Sequence, residues 1–441
     1  MQVQWYRDST ELENQTYNVD SAIYFCDTQV EAYNKIVITI GNMNKPNRFL
    51  KIFNIADGVT RQFYNDEIEN VEIIEAITNN NQALNINEAD LVILPKNTTG
   101  VQFQRTLPFS IYRNDVLFGR FFIDTSTSNS YKTLYSLAVK DYINTLDKQT
   151  FLGGKYTGKT VSSLIAEILG DIPYQLDATL GNYTVTGYLP ILSKREALRQ
   201  LAFCLNAYID TSRQDKVVIK PFSNARNRFV DLSEILDIET TQQNIVTKIQ
   251  VEFENIDNKP QDAEELYNQT LDGTEMIVFD SPKYNLSITG GTIVSSNINY
   301  AIIEGAGSNV TLTGKTYETY SKLYEKTNEY TVSTDIDNIQ QYHTTLKCNQ
   351  INILDKLKFV EYTVKSHYKM DNTKVGDLVV IDGMTCRVSQ LNYGLKQTEI
   401  YAEAQMEKYY YDATELYLTS EAGDDLITEN NIILEAEGQW V

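Results

Sequence analysis

The chain has 441 residues and a formal net charge of −21, from 38 basic and 59 acidic residues. Because the acidic residues are spread along the whole chain, a surface for nucleic acid or anionic lipid is disfavoured, and we expect no specific nucleic-acid binding. The length allows roughly three domains with separate cores. No stretch approaches the ~20 apolar residues of a membrane helix, so no membrane span is expected.

The start of the chain and the cysteines bear on where the protein is made. Residues 1–15 are polar and contain no apolar core of signal-peptide length, so we expect no export by a signal peptide. Four cysteines lie far apart in or beside apolar patterns, without a CxxC pair: Cys26, Cys204, Cys348 and Cys386. This arrangement is typical of reduced core residues and indicates synthesis in a cytosol.

Short strands separated by Gly, Asn and Pro turns are predicted from residue 21 to about residue 143. They end in a hairpin around Asn114 and Asp115, followed by an apolar strand. Thirty tyrosines, with many Thr, Val and Ile residues, also favour β-structure. Such a pattern is typical of a barrel or sandwich, and we assign residues 1–147 to an N-terminal β-barrel.

The pattern changes to mixed helix and strand over residues 148–237. Thr160 is positioned to cap one helix, and Ser193, three residues before a glutamate, opens a second helix with a single apolar stripe. Two strands follow at 208–210 and 216–220, around a polar turn. These elements predict a small α/β domain.

A second β-barrel is predicted in two pieces, 238–256 and 371–408. The first piece contains a strand with apolar residues at alternate positions, as in a half-buried strand. In the second piece, Asp382 and Gly383 join two apolar runs, which is a strong hairpin signal.

The two pieces are separated by an inserted domain, residues 257–370. Its first part is rich in Gly, Ser, Thr and Asn and predicts strands. Its end predicts a long helix with a buried stripe of Leu354, Leu357, Val360, Val364 and Tyr368. The predicted fold class is therefore α+β, mainly β, with two related β-barrel domains, an intervening small α/β domain and an insertion domain in the second barrel.

An internal repeat is indicated by similar patterns near 110–140 and 375–405. Each has a hairpin turn, an apolar strand with an arginine, Arg120 or Arg387, and then a second apolar strand. The spacings differ between the two copies. The pattern alone leaves open whether the barrel is repeated.

The last segment, residues 409–441, has too little apolar content to form its own core. Three consecutive tyrosines open it, and leucines then recur about every eight residues. We predict a tail that becomes ordered against a partner protein, with candidate contact residues Tyr409, Tyr410, Tyr411, Leu418, Leu426, Leu434 and Trp440.

Residues 153–160 match the phosphate-loop pattern G-x-x-x-x-G-K-T and precede a predicted helix. A phosphate loop also needs a buried strand ahead of it and, downstream, an apolar strand that ends in a magnesium-binding Asp. The segment before Gly153 is mostly polar, and Asp171 lies at a helix end. A turn followed by the Thr160 cap is the simpler interpretation, so no cofactor is predicted.

Catalytic chemistry has little support in the sequence. The two histidines, His343 and His367, lie apart and have no flanking residues that predict a pocket. Two isolated histidines and four scattered cysteines do not predict a zinc site, and paired carboxylates fall in loop-like segments. We predict no catalytic, cofactor-binding or metal residue, and the chain is not expected to be an enzyme.

The order of these motifs resembles that of the baseplate hub proteins of contractile phage tails and phage-tail-like bacteriocins. The resemblance covers roughly residues 100–410. It is carried by the strand 119–124, the segment 154–160 before a helix, the stretch 193–210, and the return at 375–377 with the Arg387 strand.

The resemblance implies a location and a set of partners. Hubs of this kind are homotrimers in which six barrels match the six-fold tail tube or tube-initiator protein above, while a three-fold spike hangs below. Baseplate wedge and tape-measure proteins are further expected partners. The particle, a virion or bacteriocin tail baseplate, would be assembled in the bacterial host cytoplasm. The alternatives are a nucleotide-binding protein that uses the 153–160 loop, and a receptor-binding or carbohydrate-binding tail protein.

Overall fold

The computed structural model describes residues 1–19, 28, 30, 32–41, 62–78, 83–96, 103, 108–113, 116–131, 133–222, 228–229, 235–258, 260–329, 338–368, 373–381, 384–394 and 398–405. Strands predominate among these residues, and the α+β, mainly β class is confirmed. The predicted tail, 409–441, lies outside the described residues.

The N-terminal strands form a small sheet of their own. β1 (Gln2–Arg7) pairs antiparallel with both β2 (Thr10–Thr16) and β3 (Lys35–Thr39). Val3 and Trp5 are buried on one side of β1. The sheet is therefore distinct from the large sheet that the following strands build.

A one-turn helix (Asn65–Glu67) leads into five strands that we call unit 1. They are β4 (Ile68–Ala76), β5 (Glu88–Ile93), β6 (Pro108–Arg113), β7 (Val116–Ser128) and β8 (Tyr135–Lys140). Their spatial order is β4-β5-β8-β7-β6, and every neighbouring pair is antiparallel. Alternate residues of β8 are buried, which gives the sheet one core face.

The small α/β domain follows unit 1. Its elements are α1 (Tyr142–Asp147), β9 (Thr150–Phe151), β10 (Gly154–Thr160), α2 (Val161–Leu169), β11 (Tyr174–Leu176), α3 (Ala178–Gly181), β12 (Thr184–Leu189), β13 (Leu192–Ser193), α4 (Lys194–Leu205), β14 (Ala207–Asp210) and β15 (Val217–Pro221).

Both predicted helix caps of this domain are confirmed. The Ser193 hydroxyl accepts a hydrogen bond from the Glu196 amide at 3.2 Å, and Asn206 ends α4 in the left-handed conformation. The Thr160 hydroxyl accepts from the Ser163 amide at 3.4 Å and begins α2. The apolar faces of α1, α2 and α4 share one buried core.

The insert and the strands before it are mostly β-structure. The elements are β16 (Arg228–Phe229), β17 (Ile235–Gln242), β18 (Lys248–Asp257), β19 (Glu264–Val278), β20 (Lys283–Thr289), β21 (Gly291–Ser296), β22 (Tyr300–Thr316), β23 (Glu318–Thr327), β24 (Ile339–Thr344), β25 (Leu346–Cys348) and α5 (Ile353–Lys356). β18 falls within the predicted second barrel, but it pairs with β23 and β24 of the insert. This pairing buries Ile249 and Val251 against Tyr342.

The prediction of a long helix at the end of the insert is wrong. The structure has the single turn α5, and then Val360, Val364 and Tyr368 lie in the strand β26 (Val360–Tyr368). This segment is rich in Val, Thr and Tyr, which favour strands. Ladders with β17 on one side and with the last described strand, β29 (Thr398–Gln405), on the other outweigh its weaker helical periodicity.

Unit 2 consists of β17, β26, β27 (Leu378–Ile381), β28 (Met384–Tyr393) and β29 (Thr398–Gln405). Their spatial order is β17-β26-β29-β28-β27, again antiparallel throughout, and β16 pairs parallel with β27. Strand β28 also pairs with β4, so the ten strands of the two units and β16 form one continuous eleven-stranded sheet around a shared core.

The core of the α/β domain gives a stability prediction. Ile168 lies on the buried face of α2 and is fully buried. Ile168→Ala should therefore lower the free energy of unfolding by about 2–5 kcal/mol, because apolar burial is lost and a cavity remains. Urea denaturation followed by circular dichroism measures this change. The matched control is Ser163→Ala on the exposed face of the same helix, which should change it by no more than about 0.5 kcal/mol. Equal effects would mean that this core does not stabilise the domain.

Candidate functional site

The two units of the large sheet correspond strand for strand, and their β-bulges fix the correspondence. In β4 and β17 the ladder skips one residue, Glu69 and Leu236 respectively. In β7 and β28 it skips Asp124 and Ser389. Aligned on these bulges, the paired strands agree residue by residue, because a bulge adds one residue at a defined point of the ladder. The internal repeat is therefore confirmed.

Arg120 and Arg387, which occur in the two similar sequence patterns, are not equivalent in the structure. The bulge alignment places Arg387 against Phe122, two residues beyond Arg120. The repeat is real in topology and register, but the two arginines occupy different positions in it.

The junction between the units is the pairing of β4 with β28. Residues 73–76 of β4 pair antiparallel with residues 390–393 of β28, and the Ile77 amide donates to the Ser389 carbonyl at 2.8 Å. Ile73, Leu391 and Tyr393 are buried there. The junction is thus an apolar joint in which one unit continues the sheet of the other.

An arginine of the α/β domain, with a side chain that is 9% exposed, reaches this junction. Arg213 lies in the turn between β14 and β15, with a φ of 54°. Its Nε donates to Oε1 of Glu75 on β4 at 3.3 Å, and an Nη2 donates to the Thr373 carbonyl at 2.9 Å and to the Tyr393 hydroxyl on β28. The guanidinium also lies 5.1 Å from the centre of the Phe118 ring. Arg213 therefore contacts both units at once.

Glu75 is the anionic partner in this cluster. Its side chain is fully buried, and its Oε2 has no hydrogen-bond partner among the described residues. Burial raises the pKa of Glu75 from 4.5 to about 7, although the Arg213 guanidinium acts in the opposite direction. The protonation of this carboxyl is therefore linked to the stability of the folded chain near neutral pH.

A second buried polar network ties unit 1 to the α/β domain. Asp141, which begins α1, accepts from the Asn87 and Ile143 amides at 3.0 and 2.9 Å and from the Thr211 hydroxyl. The Asn87 side chain accepts from the Ala76 amide at 3.0 Å, next to the junction. Burial raises the pKa of Asp141 to about 6 against these hydrogen bonds.

The phosphate-loop pattern lies in a strand. Residues 154–160 form β10, which pairs with β12, so its amides belong to a sheet ladder and do not converge on an anion. The Lys159 ammonium forms an ion pair with Glu167. Gly153 has a φ of 64°, and a Cβ there would lie 2.1 Å from the Leu189 carbonyl oxygen, so the turn requires glycine. The segment is thus a turn at Gly153, the strand β10 and the Thr160 helix cap.

The two histidines considered for catalysis lie in different sheets. His343 Nε2 lies 3.6 Å from Glu254 Oε2 on a half-exposed surface. His367 lies in β26, where its backbone is opposite Asp237 of β17 and Glu399 of β29 in the ladders. Within the described ranges, no three His, Cys, Asp or Glu side chains come close enough to hold a metal ion.

Three of the cysteines are buried thiols without disulfide partners: Cys204, Cys348 and Cys386. Cys26 and the tail residues Tyr409, Tyr410, Tyr411, Leu418, Leu426, Leu434 and Trp440 lie outside the described residues. None of the helices in the described part of the chain has the length and hydropathy that a bilayer crossing requires.

Three tail proteins are among the solved structures to which the chain is similar. A tail protein from Neisseria meningitidis has 11% sequence identity and a TM-score of 0.46, and the match covers 76% of this chain and 92% of that chain. The 43 kDa tail protein of prophage MuSo2 from Shewanella oneidensis has 8% sequence identity and a TM-score of 0.46, and the match covers 76% of this chain and 93% of that chain. A prophage tail protein from Listeria monocytogenes has 10% sequence identity and a TM-score of 0.45, and the match covers 77% of this chain and 89% of that chain.

At the level of sequence, the chain matches no known protein family and no curated protein.

Arg213 and Glu75 were missed by the sequence analysis. Arg213 belongs to a turn that was interpreted only as polar. Glu75 does carry a signal, because it occupies the same face of β4 as Ile73 and Ile77, which are both buried. A carboxylate within an apolar stripe indicates a buried charge that needs a partner.

The raised pKa of Glu75 predicts how stability depends on pH. The folded chain holds this proton more tightly than the unfolded chain, so the free energy of unfolding should fall as pH rises from about 5 to 8. A shift from 4.5 to about 7 corresponds to about 3 kcal/mol. Glu75→Gln should flatten the curve over this range in urea titrations at several pH values. Glu72→Gln, exposed on the same strand, is the control, and a variant curve parallel to that of the unmodified chain would contradict the assignment.

The Arg213 contacts predict a strong coupling with Glu75. At pH 8, Arg213→Met forces Glu75 either to stay buried without a cation or to take up a proton, and it also removes the hydrogen bonds to the Thr373 carbonyl and the Tyr393 hydroxyl, so it should cost about 3–5 kcal/mol of unfolding free energy. In the Glu75→Gln background the same substitution should cost at least about 1 kcal/mol less, because no charge remains to be neutralised. A double-mutant cycle by urea denaturation measures the difference. Additive costs would show that the two side chains do not stabilise each other.

Proposed function

We propose that this chain is a non-enzymatic structural hub of a contractile tail or related injection particle. In this role it is a homotrimer that joins a six-fold tail tube to a three-fold spike. The observation that carries the proposal is the duplication of a five-stranded unit, joined through β4 and β28 within one continuous sheet. The resemblance of the sequence to baseplate hub proteins supports the same role.

The duplication suits a protein that must connect two symmetries. Three copies of a chain with two equivalent units present six equivalent units to a partner. Features that occur once among the described residues, such as the insert between β17 and β26 and the α/β domain, are then presented three times. A six-fold partner can bind the units, and a three-fold partner can bind the unique features, without any change in the chain itself.

We assign the tail protein contacts on this basis. The tube or tube-initiator protein would bind the rim formed by the units. The spike would bind the opposite side, where residues 409–441, with Tyr409 to Tyr411, Leu418, Leu426, Leu434 and Trp440, are proposed to dock. Wedge and tape-measure proteins would contact the periphery and the channel. The particle would be a virion or bacteriocin tail baseplate, assembled in the bacterial host cytoplasm.

The alternative functions have weaker support. Nucleotide binding at residues 153–160 has no cradle of amides, since these residues form a strand, and Lys159 is paired with Glu167. A receptor-binding or carbohydrate-binding role is favoured by no particular contact in the described residues.

The mass of the particle in solution tests the proposed function. Size-exclusion chromatography with multi-angle light scattering should give about three times the chain mass of 50.4 kDa. Negative-stain images of that species should show a ring with a six-fold inner rim and a three-fold outline. A chain that stays monomeric at high concentration in these measurements would refute the role, whereas Ile168→Ala, which weakens only the α/β core, should keep the trimer whenever it is folded.

A further inference from the structure

Each unit of the large sheet has two edges that the junction could use, and the chain uses one from each. Unit 1 contributes the outer edge of β4, and unit 2 contributes residues 390–393 of β28. The equivalent positions in the other unit are the outer edge of β17 and residues 125–128 of β7. Within the described part of the chain, β17 pairs only with β26, and residues 125–128 pair only with β8.

The bulges give these open edges a defined register. Because Glu69 corresponds to Leu236, residues 73–76 of unit 1 correspond to residues 240–243 of unit 2. Because Ser389 corresponds to Asp124, residues 390–393 correspond to residues 125–128. In the junction Asn392 lies opposite Ile74, and the equivalent pair of open positions is Thr127 and Thr241.

We propose that β17 of one copy pairs antiparallel with residues 125–128 of β7 in a second copy of this chain, with Thr127 opposite Thr241. This contact rests on the proposed trimer and repeats, between copies, the junction that the chain already makes between its own units. The two edges are different surfaces, so the contact is head-to-tail, and three copies that each make it twice close into a ring when neighbours are related by a three-fold rotation. The partner is therefore another copy of this chain.

The composition of the two edges fits a contact made after folding. The junction inside the chain buries Ile73, Leu391 and the Glu75 carboxylate. The open edges carry only Thr and Ser at 125–128 and Thr and Gln at 240–243, and the side chains at 125–128 and 240–242 are exposed. Such strands stay solvated in the free chain, and main-chain hydrogen bonds then supply the pairing.

A neutral residue replaces the buried charge at the proposed contact. Gln242 occupies the position of Glu75, so no cation equivalent to Arg213 is needed across the contact. The Asp237 and Glu239 side chains, farther along β17, stay at the exposed surface. Their charge disfavours pairing of β17 with a second β17, because two copies of the same acidic edge repel each other.

The pair for a disulfide test follows from the hydrogen bonds of the junction. The Ile77 amide donates to the Ser389 carbonyl, so in an antiparallel ladder the Ile74 and Asn392 pair is one without mutual hydrogen bonds. Side chains lie closest at such pairs, within the Cβ separation that a disulfide spans. Thr127→Cys and Thr241→Cys are therefore the chosen substitutions.

The experiment uses full-length chains carrying one cysteine substitution each. Thr127→Cys chains and Thr241→Cys chains are mixed, oxidised with copper phenanthroline and run on non-reducing gels. We expect a covalent dimer in the mixture at least tenfold above either variant alone, and a covalent trimer when both substitutions are in one chain. The register control combines Thr127→Cys with Gln242→Cys, which points to the other face of the strand and should link poorly.

The outcomes separate this contact from the proposed function. If light scattering reports a trimer but the mixture links no better than the register control, the strand pairing is wrong and the hub proposal stands. If either variant alone links to itself, the contact is two-fold and the ring is excluded. If the chain is monomeric and does not link, both proposals fail. Thermal melts of the exposed-site variants within about 2 °C of the unmodified chain would confirm that they are folded.

Discussion

The ion pair between Arg213 and Glu75 lies at the point on which the architecture depends. Two units of sheet meet at β4 and β28, and the guanidinium touches residues of both. A buried carboxylate is costly to desolvate, and a guanidinium in fixed geometry offsets that cost. Since Arg213 belongs to the α/β domain, this domain holds the units in register as well as connecting them in sequence. The position of the α/β domain between the two units in the sequence therefore matches its contact with both of them in the structure.

The two units differ where the equivalent turns occur. In unit 1, β4 and β5 are joined by a short connection, and Asn87 ties its end to Asp141 and Thr211. In unit 2, the insert occupies the equivalent connection between β17 and β26. A turn at the edge of a sheet tolerates such an addition because the ladder on either side is unchanged. The units therefore keep the same register while their surroundings differ.

The sequence predicted local structure well and long-range pairing poorly. Ser193 and Thr160 predicted the starts of α4 and α2, because a helix cap depends only on residues that are close together in the sequence. Val360 and Val364 were placed in a helix because a spacing of four is compatible with either structure, and only the ladders with β17 and β29 decide between them.

The same limit applied to the junction. The duplication could be suspected from two hairpin patterns, but its register depends on bulges at Asp124 and Ser389, which leave no mark in composition. No local signal indicates that Arg213 lies beside Glu75, since the contact joins residues far apart in the chain. The sequence could therefore supply the class and the order of domains, while the joint between them required coordinates.

The pairing of β4 with β28 has a consequence for synthesis of the chain. Tyr393 lies 320 residues after its partner Ile73, so at about 5–20 residues per second a ribosome needs roughly 16–64 s to deliver the second strand. During that interval the nascent β4 edge is unpaired and can recruit the wrong strand from another polypeptide. A truncated product would keep this edge open permanently. Synthesis of β28 supplies the partner of this edge, and β29 then fills the place between β26 and β28 in the sheet.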